Sequence, residues 1–276
     1  MSTRLKYSRL TVPHRAKDDA ILGILSLFDP LGFEERGSDL VACFRDAAAA
    51  RAAGRELEIS RVRHDLVTDI PEGDPFEAYR AASRPFAVGA RFWIDPGPPT
   101  DVSPPEGRIA LRVPASRAFG TGGHESTRLA LVALEEEPME GESLLDVGTG
   151  SGVLALAAAG LGARPAVGFD SDVQAIFVAR ENRARHPFGD RVILVACEPA
   201  ALRGRFDVVV ANLLPDELLP LRAVLCTRVG PKGRLIVSGI PAEREADVIP
   251  RLRGRGWSLA ACRRENGWTC ATLERA

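Results

Sequence analysis

The chain has 276 residues, 45% of them hydrophobic and 26% charged, with a formal net charge of −1 at pH 7. That length accommodates two domains or one large one, and the composition is ordinary for a soluble globular protein. A near-neutral total excludes a general electrostatic grip on nucleic acid, and no uninterrupted apolar run approaches membrane-spanning length. The five cysteines are odd in number and form no C-x-x-C pair, which fits neither a disulfide framework nor a zinc site. A cytoplasmic location is expected from this usage. Met1 to Lys6 lead into no apolar core of signal-peptide type.

Residues 1–72 read as a small α+β domain. Leu5 to Val12 is expected to form a strand. Ala16 to Phe28 has helical spacing, with Ile21, Ile24, Leu25 and Phe28 on one face. Phe33 to Phe44 suggests a hairpin around Gly37-Ser38-Asp39. Arg45 to Gly54 reads as a short alanine-rich helix, and Glu56 to Val62 alternates like a strand. This order suits a ferredoxin-like module. Pro71 to Pro75 breaks the pattern. Residues 73–84 read as a linker, with a helix over Phe76 to Ala82, and residues 85–276 as a second domain.

In that second domain Ala90 to Ile94 and Arg108 to Val113 read as strands. The proline-dense stretch between them, Pro96 to Pro105, cannot sit inside a sheet. Next comes Ala118-Phe119-Gly120-Thr121-Gly122-Gly123-His124-Glu125-Ser126-Thr127, ahead of a helix running to about Glu137. Its hydroxyl residues can cap that helix. The same loop can instead fold over a cofactor, with Thr127 touching it and Phe119 walling a transfer channel. From there strands and helices alternate. The expected strands are Leu144–Val147, Ala166–Phe169, Val192–Val195, Phe206–Ala211 and Arg234–Ser238. The helices between are Val153–Gly160, Val173–Arg185 and Pro215–Arg228. Such alternation means a parallel sheet covered on both faces. Ser258–Cys262 and Thr269–Leu273 would close it as an antiparallel hairpin.

The most informative stretch is Leu144-Leu145-Asp146-Val147-Gly148-Thr149-Gly150-Ser151-Gly152. An apolar strand ends in an acid, and a glycine turn leads into a helix. Glycines allow positive φ and close approach of a ligand, and helix amides can take an anionic group. The next strand delivers Asp170 to its tip, where an acid can hold two ribose hydroxyls. A dinucleotide site wants G-x-G-x-x-G, but position 153 is Val153. The observed G-x-G-x-G after Asp146 is instead the pattern of S-adenosylmethionine-dependent methyltransferases. Phe206 to Ala211 ends in Asn212-Leu213-Leu214-Pro215. Ligands in open α/β sheets lie beyond the carboxyl ends of the strands, which puts Asn212 beside the glycine turn. Its side chain both donates and accepts hydrogen bonds, as positioning an amine nucleophile requires.

Other residues read more plainly. His14 and His64 suit a polar surface, and His186, before Pro187, a structural role in a loop. His124 is either an active-site residue or part of the loop framework. Arg251, Arg253 and Arg255 suit a solvated face, and Trp93 and Trp257 suit packing. Cys197 follows the third strand, where adenine contacts often lie.

Four segments in order complete the picture: Ala118-Phe119-Gly120-Thr121-Gly122-x-His124, Leu145-Asp146-x-Gly148-x-Gly150-Ser151-Gly152, Gly168-x-Asp170-x-Asp172, and Val210-Ala211-Asn212-Leu213-Leu214. Together they resemble the methyltransferases of large-subunit ribosomal protein eleven, the PrmA family. The likeness extends to Pro85-Phe86-x-Val88-Gly89 and Trp268-Thr269-Cys270. Departures are Gly123 and Ser126, where the family usually has threonine, and Ala115-Ser116-Arg117, where it has Asp-Pro-Gly. The resemblance implies a class I S-adenosylmethionine methyltransferase fold, α/β and Rossmann-like with a seven-stranded sheet, behind a substrate-recognition domain. It implies S-adenosylmethionine as cofactor, held by Thr127, Asp146, Gly148, Gly150, Gly152, Asp170 and Asn212. Asn212, Leu213 and Phe119 would serve catalysis. Lysine and α-amino groups of the ribosomal protein would be the substrate. A monomer is expected, with no metal, no direct nucleic-acid contact and no membrane contact. Rival readings are the same chemistry on another protein or a small amine, an NAD-dependent oxidoreductase, and a silent binding module.

Overall fold

The computed structural model describes residues 6–13, 18–36, 38–71, 83–97, 103–114 and 122–276. The chain divides into two compact units, Met1–Glu77 and Ala78–Ala276.

In the first unit the order is β1 (Lys6–Val12), α1 (Asp19–Ser26), β2 (Gly32–Arg36), β3 (Asp39–Phe44), α2 (Ala47–Ile59) and β4 (Asp65–Pro71). The sheet runs β2-β3-β1-β4 with every neighbour antiparallel, the arrangement of a ferredoxin-like module. Leu10, Leu25, Leu40, Phe44, Ala53 and Leu57 meet in its core. One expectation fails here. Glu56 to Ile59 is the last turn of α2, not the start of a strand, and the strand comes later, at Asp65–Pro71. Ala50, Ala53, Gly54 and Leu57 form a buried helical stripe. The local alternation of Glu56-Leu57-Glu58-Ile59 imitates a strand. Leu57 is fully buried, whereas Ile59 is 75% exposed, so the two point to different sides. Asp46 caps the helix by accepting from the Ala48 amide at 2.8 Å.

The second unit opens with a three-stranded sheet: β5 (Phe86–Val88), β6 (Phe92–Asp95) and β7 (Ile109–Arg112). Strand β5, only three residues long, left no periodic signal in the sequence. Then follow α3 (Glu125–Glu135), β8 (Leu144–Val147), α4 (Val153–Leu161), β9 (Ala166–Asp170), α5 (Val173–Arg183), β10 (Val192–Ala196), β11 (Phe206–Asn212), α6 (Pro215–Arg228), β12 (Val229–Pro241), α7 (Glu245–Arg253), β13 (Trp257–Glu265) and β14 (Trp268–Arg275). Helix α7 was not foreseen, because Pro250 lies inside it and removes a backbone donor. Val248, Ile249 and Leu252 nevertheless bury one face, while Arg251 and Arg253 stay exposed.

The main sheet has seven strands in the order β10-β9-β8-β11-β12-β14-β13. Strands β8 to β12 pair in parallel; β14 runs antiparallel to β12 and β13. Adjacent side chains serve opposite faces. Leu144, Val208 and Val210 pack with α3 and α4, whereas Leu145, Val209 and Ala211 pack with α6 and α7. Burial on both faces explains why these strands read as unbroken apolar runs. Among the described residues no helix is long and apolar enough to cross a membrane.

Candidate active site

The sheet changes direction between β8 and β11, and register lines up their ends. Val147 pairs with Phe169 on one side and with Ala211 on the other. The residues one step beyond are Gly148, Asp170 and Asn212, so three separate sequence signals meet on one edge. This is the switch point where open α/β sheets bind ligands.

Gly148 has φ +70°, and a Cβ there would sit 2.7 Å from Leu213 Cδ2. Gly152, at φ +83°, lets Ala179 of α5 approach, since a Cβ would lie 3.2 Å from its Cβ. The amides of Gly148 and Thr149 both donate to the Phe169 carbonyl, at 3.0 and 2.9 Å. Asp170 reinforces the turn. Its Oδ2 accepts from the Gly150 amide and its Oδ1 from the Asp172 amide, each at 3.0 Å. Each carboxylate oxygen keeps a second lone pair, and Asp170 lines the cavity.

Asp146 plays another part. It is buried at the end of β8, and its Oδ2 accepts from the Thr149 hydroxyl at 2.6 Å and the Ala155 amide at 3.1 Å. It thereby ties both ends of the turn together. Burial pushes its carboxyl up to about 7, against the help of those two donors.

On the other side, Asn212 Nδ2 donates to the Thr127 hydroxyl at 3.1 Å, and Oδ1, buried from solvent, has no hydrogen-bond partner among the described residues. Thr127 is itself fully buried in the first turn of α3. The Ser238 hydroxyl donates to the Ser126 carbonyl at 2.7 Å, pinning that turn to β12. His124 caps α3, accepting from the Ser126 amide at Nδ1, and its ring meets Trp268 edge-on at 4.7 Å. Gly239, at φ +82°, sits in an irregularity of β12, where a Cβ would meet the Leu213 carbonyl oxygen at 2.4 Å.

These residues enclose a cavity of about 670 Å³. Its described wall includes Gly148, Phe169, Asp170, Asn212, Leu213, Ser126, His124 and Trp268, with Asp216, Glu217 and Leu221 of α6. Of the candidate residues, Gly148, Asp170, Asn212 and Leu213 reach this wall. Thr127, Asp146, Gly150 and Gly152 are not part of the described wall. Phe119 lies outside the described residues, as does the rest of Ala115 to Thr121. Cys197 donates its amide to the Asp170 carbonyl at 3.1 Å and is not part of the described wall. Among the described residues no three His, Cys, Asp or Glu side chains group as metal ligands, and none of the five cysteines forms a disulfide. Sequence reasoning missed Pro199, Leu214, Asp216, Glu217 and Gly239 as wall residues. It noted Trp268 without giving it a place.

Comparison with known proteins agrees with this geometry. The family model described as ribosomal protein L11 methyltransferase (PrmA) matches residues 34–276. A ribosomal protein L11 methyltransferase of Geobacter metallireducens is 42% identical over 204 residues, spanning 74% of this chain and 67% of its own. That of Geobacter sulfurreducens is 38% identical over 259 residues, spanning 89% and 85%. The crystal structure of a ribosomal protein L11 methylase from Lactobacillus delbrueckii subsp. bulgaricus superposes with a TM-score of 0.63 at 27% identity, covering 70% of this chain and 99% of that one. With the match covering the whole second unit and reaching into the first, the chain belongs to the PrmA family of ribosomal protein L11 methyltransferases.

Proposed function

We propose that this protein transfers methyl groups from S-adenosylmethionine to amino groups of ribosomal protein L11, lysine side chains and the α-amine among them. The observation that carries the reading is the shared edge of Gly148, Asp170 and Asn212 around one cavity. The residues fit the cofactor on two counts. Gly148 lines the cavity with backbone alone, in a turn of positive φ, and Asn212 Oδ1 is an acceptor with no described partner.

Asp170 would take the ribose hydroxyls on its remaining lone pairs, and Gly148 would admit the methionine end. When bound, the cofactor supplies a methyl carbon made electrophilic by its sulfonium. The protein's task is then largely positioning. Asn212 Oδ1 would accept an N–H of the incoming amine, while Nδ2 rests on the Thr127 hydroxyl. The backbone of Leu213, also on the cavity wall, would face the amine with it. The amine must be neutral to react. A lysine starts from about 10.4 and an α-amine from about 7.7–8.0. Enclosure disfavours the ammonium and helps deprotonation. The Met1–Glu77 unit would recognise the protein substrate. The site of action would be the cytoplasm and the active form a monomer.

The test is transfer of label from S-adenosylmethionine to purified L11. The expected result is methylated L11 with the native chain. With Asn212→Ala, kcat should fall by about 100-fold or more, as when a preorganised polar group is removed, while the variant still folds. Transfer to other proteins or small amines but none to L11 would overturn the choice of substrate. Unchanged kcat in Asn212→Ala would overturn the role of that residue.

A further inference from the structure

Behind the cavity wall runs a chain of hydrogen bonds that the proposed chemistry does not use. Ser151, between Gly150 and Gly152, is fully buried, and its carbonyl accepts from Asn182 Nδ2 at 2.9 Å. Asn182 lies near the end of α5 and is 2% exposed. Its Oδ1 is taken by Arg185 Nη1 at 3.0 Å, so only its amide end can face the turn. Its backbone carbonyl lies 2.8 Å from His186 Nδ1, and His186 Nε2 accepts from the Arg112 amide at 2.9 Å, at the end of β7. A carbonyl on one ring nitrogen and an N–H on the other select the neutral ring with its proton on Nδ1.

We propose that Asn182 and His186 are positioning residues for the cofactor turn, holding the Ser151 carbonyl in place by tying it through α5 to β7. The proposal rests on the cofactor reading of the cavity. The relay works only with a neutral ring. A second ring proton would point Nε2–H at the Arg112 N–H, donor against donor. The charged groups around it oppose protonation as well: Arg112 from β7, with Asp95 4.0 Å from its guanidinium, and Arg185 beyond α5. The ring also packs against Phe188 at 5.3 Å. Burial first, helped by those two arginines, holds the imidazole below its usual range against the opposing pull of the Asn182 carbonyl. As pH falls through the lowered pKa of this ring, on the acid side of the ordinary histidine range, the relay should loosen and the turn with it.

Two measurements on the full chain test this. Amide hydrogen exchange of Gly150 to Gly152 is followed without ligand, and the Kd for S-adenosylhomocysteine is measured by calorimetry from pH 5.5 to 8. Asn182→Asp keeps the shape but turns an acceptor toward the Ser151 carbonyl; Asn182→Ala removes the side chain. In both, exchange at the turn should quicken and Kd should rise about fivefold, the worth of roughly one net hydrogen bond. His186→Gln, an acceptor that does not titrate, should remove the acid-side weakening that the native chain shows. Folded Asn182 variants with unchanged exchange and unchanged Kd would overturn the relay. A native chain that binds no S-adenosylhomocysteine would instead overturn the cofactor reading, and the ligand-free exchange would still decide the relay.

Discussion

Three carboxylate and amide side chains at the ends of neighbouring strands do unlike work, and their surroundings decide which. Asp170 faces the cavity and also braces the Gly150 amide. Replacing it with Ala should weaken S-adenosylhomocysteine binding by about 10–100-fold, the range for losing hydrogen bonds to a charged group. Calorimetry checks this, with circular dichroism to show that the variant folds. Asp146 is buried and its carboxyl is raised from the ordinary 3.8 to about 7. The folded state therefore holds that proton more tightly than the unfolded chain. Its contribution to stability is complete below about 3.8 and is lost as pH rises through 7. His186 has the opposite sign: its pKa is lowered, so its contribution is present above the ordinary 6.5 and is lost as pH falls. Asp146→Asn should remove the loss between about pH 4 and 7 and leave that of His186, which melting curves from pH 4 to 8 would reveal. Asn212, between these extremes, carries no charge; its Nδ2 rests on Thr127, and its buried Oδ1 has no partner among the described residues.

At the scale of elements, legibility depended on whether a pattern was long enough to be read locally. Strands β8 and β11 and helix α6 stood out because apolar runs met glycine, asparagine or proline at their ends. Helix α2 was cut short because four residues of its last turn alternate. What settles such a case is burial against a partner, and Leu57 packs into the core that α1 and the sheet complete. Leu57→Ala should cost about 2–5 kcal/mol, the usual range for emptying a fully buried leucine site. Urea unfolding followed by far-ultraviolet dichroism would measure it, and a loss under about 1 kcal/mol would mean that the site collapses to refill itself. Helix α7 hid behind Pro250, and only its packing on the hairpin side of the sheet rescues it.

The whole molecule joins two units of different construction: an antiparallel sheet with helices in the first, a mainly parallel sheet with helices on both faces in the second. Each has its own hydrophobic core. Every described cavity residue belongs to the second unit. Residues 78–276 expressed alone should therefore fold and bind S-adenosylhomocysteine with the affinity of the full chain. They should lose transfer to L11, if the first unit recognises that substrate. Calorimetry and a labelled-transfer assay on the fragment check both halves of the expectation.

The sequence by itself determined the strand-and-helix alternation, the glycine turn, the acid one strand later and the asparagine at the fourth strand tip. Each of these is a local matter of periodicity and backbone freedom. The tertiary structure alone decided which of them line the cavity. Sheet order brings Trp268 from β14 and Gly239 from β12 to a wall begun at β8, across more than 90 residues of chain. Burial kept Asp146 and Thr127 off that described wall, although their spacing suits direct contact equally well. Spacing along a chain fixes where a side chain starts, whereas packing fixes the direction in which it can point.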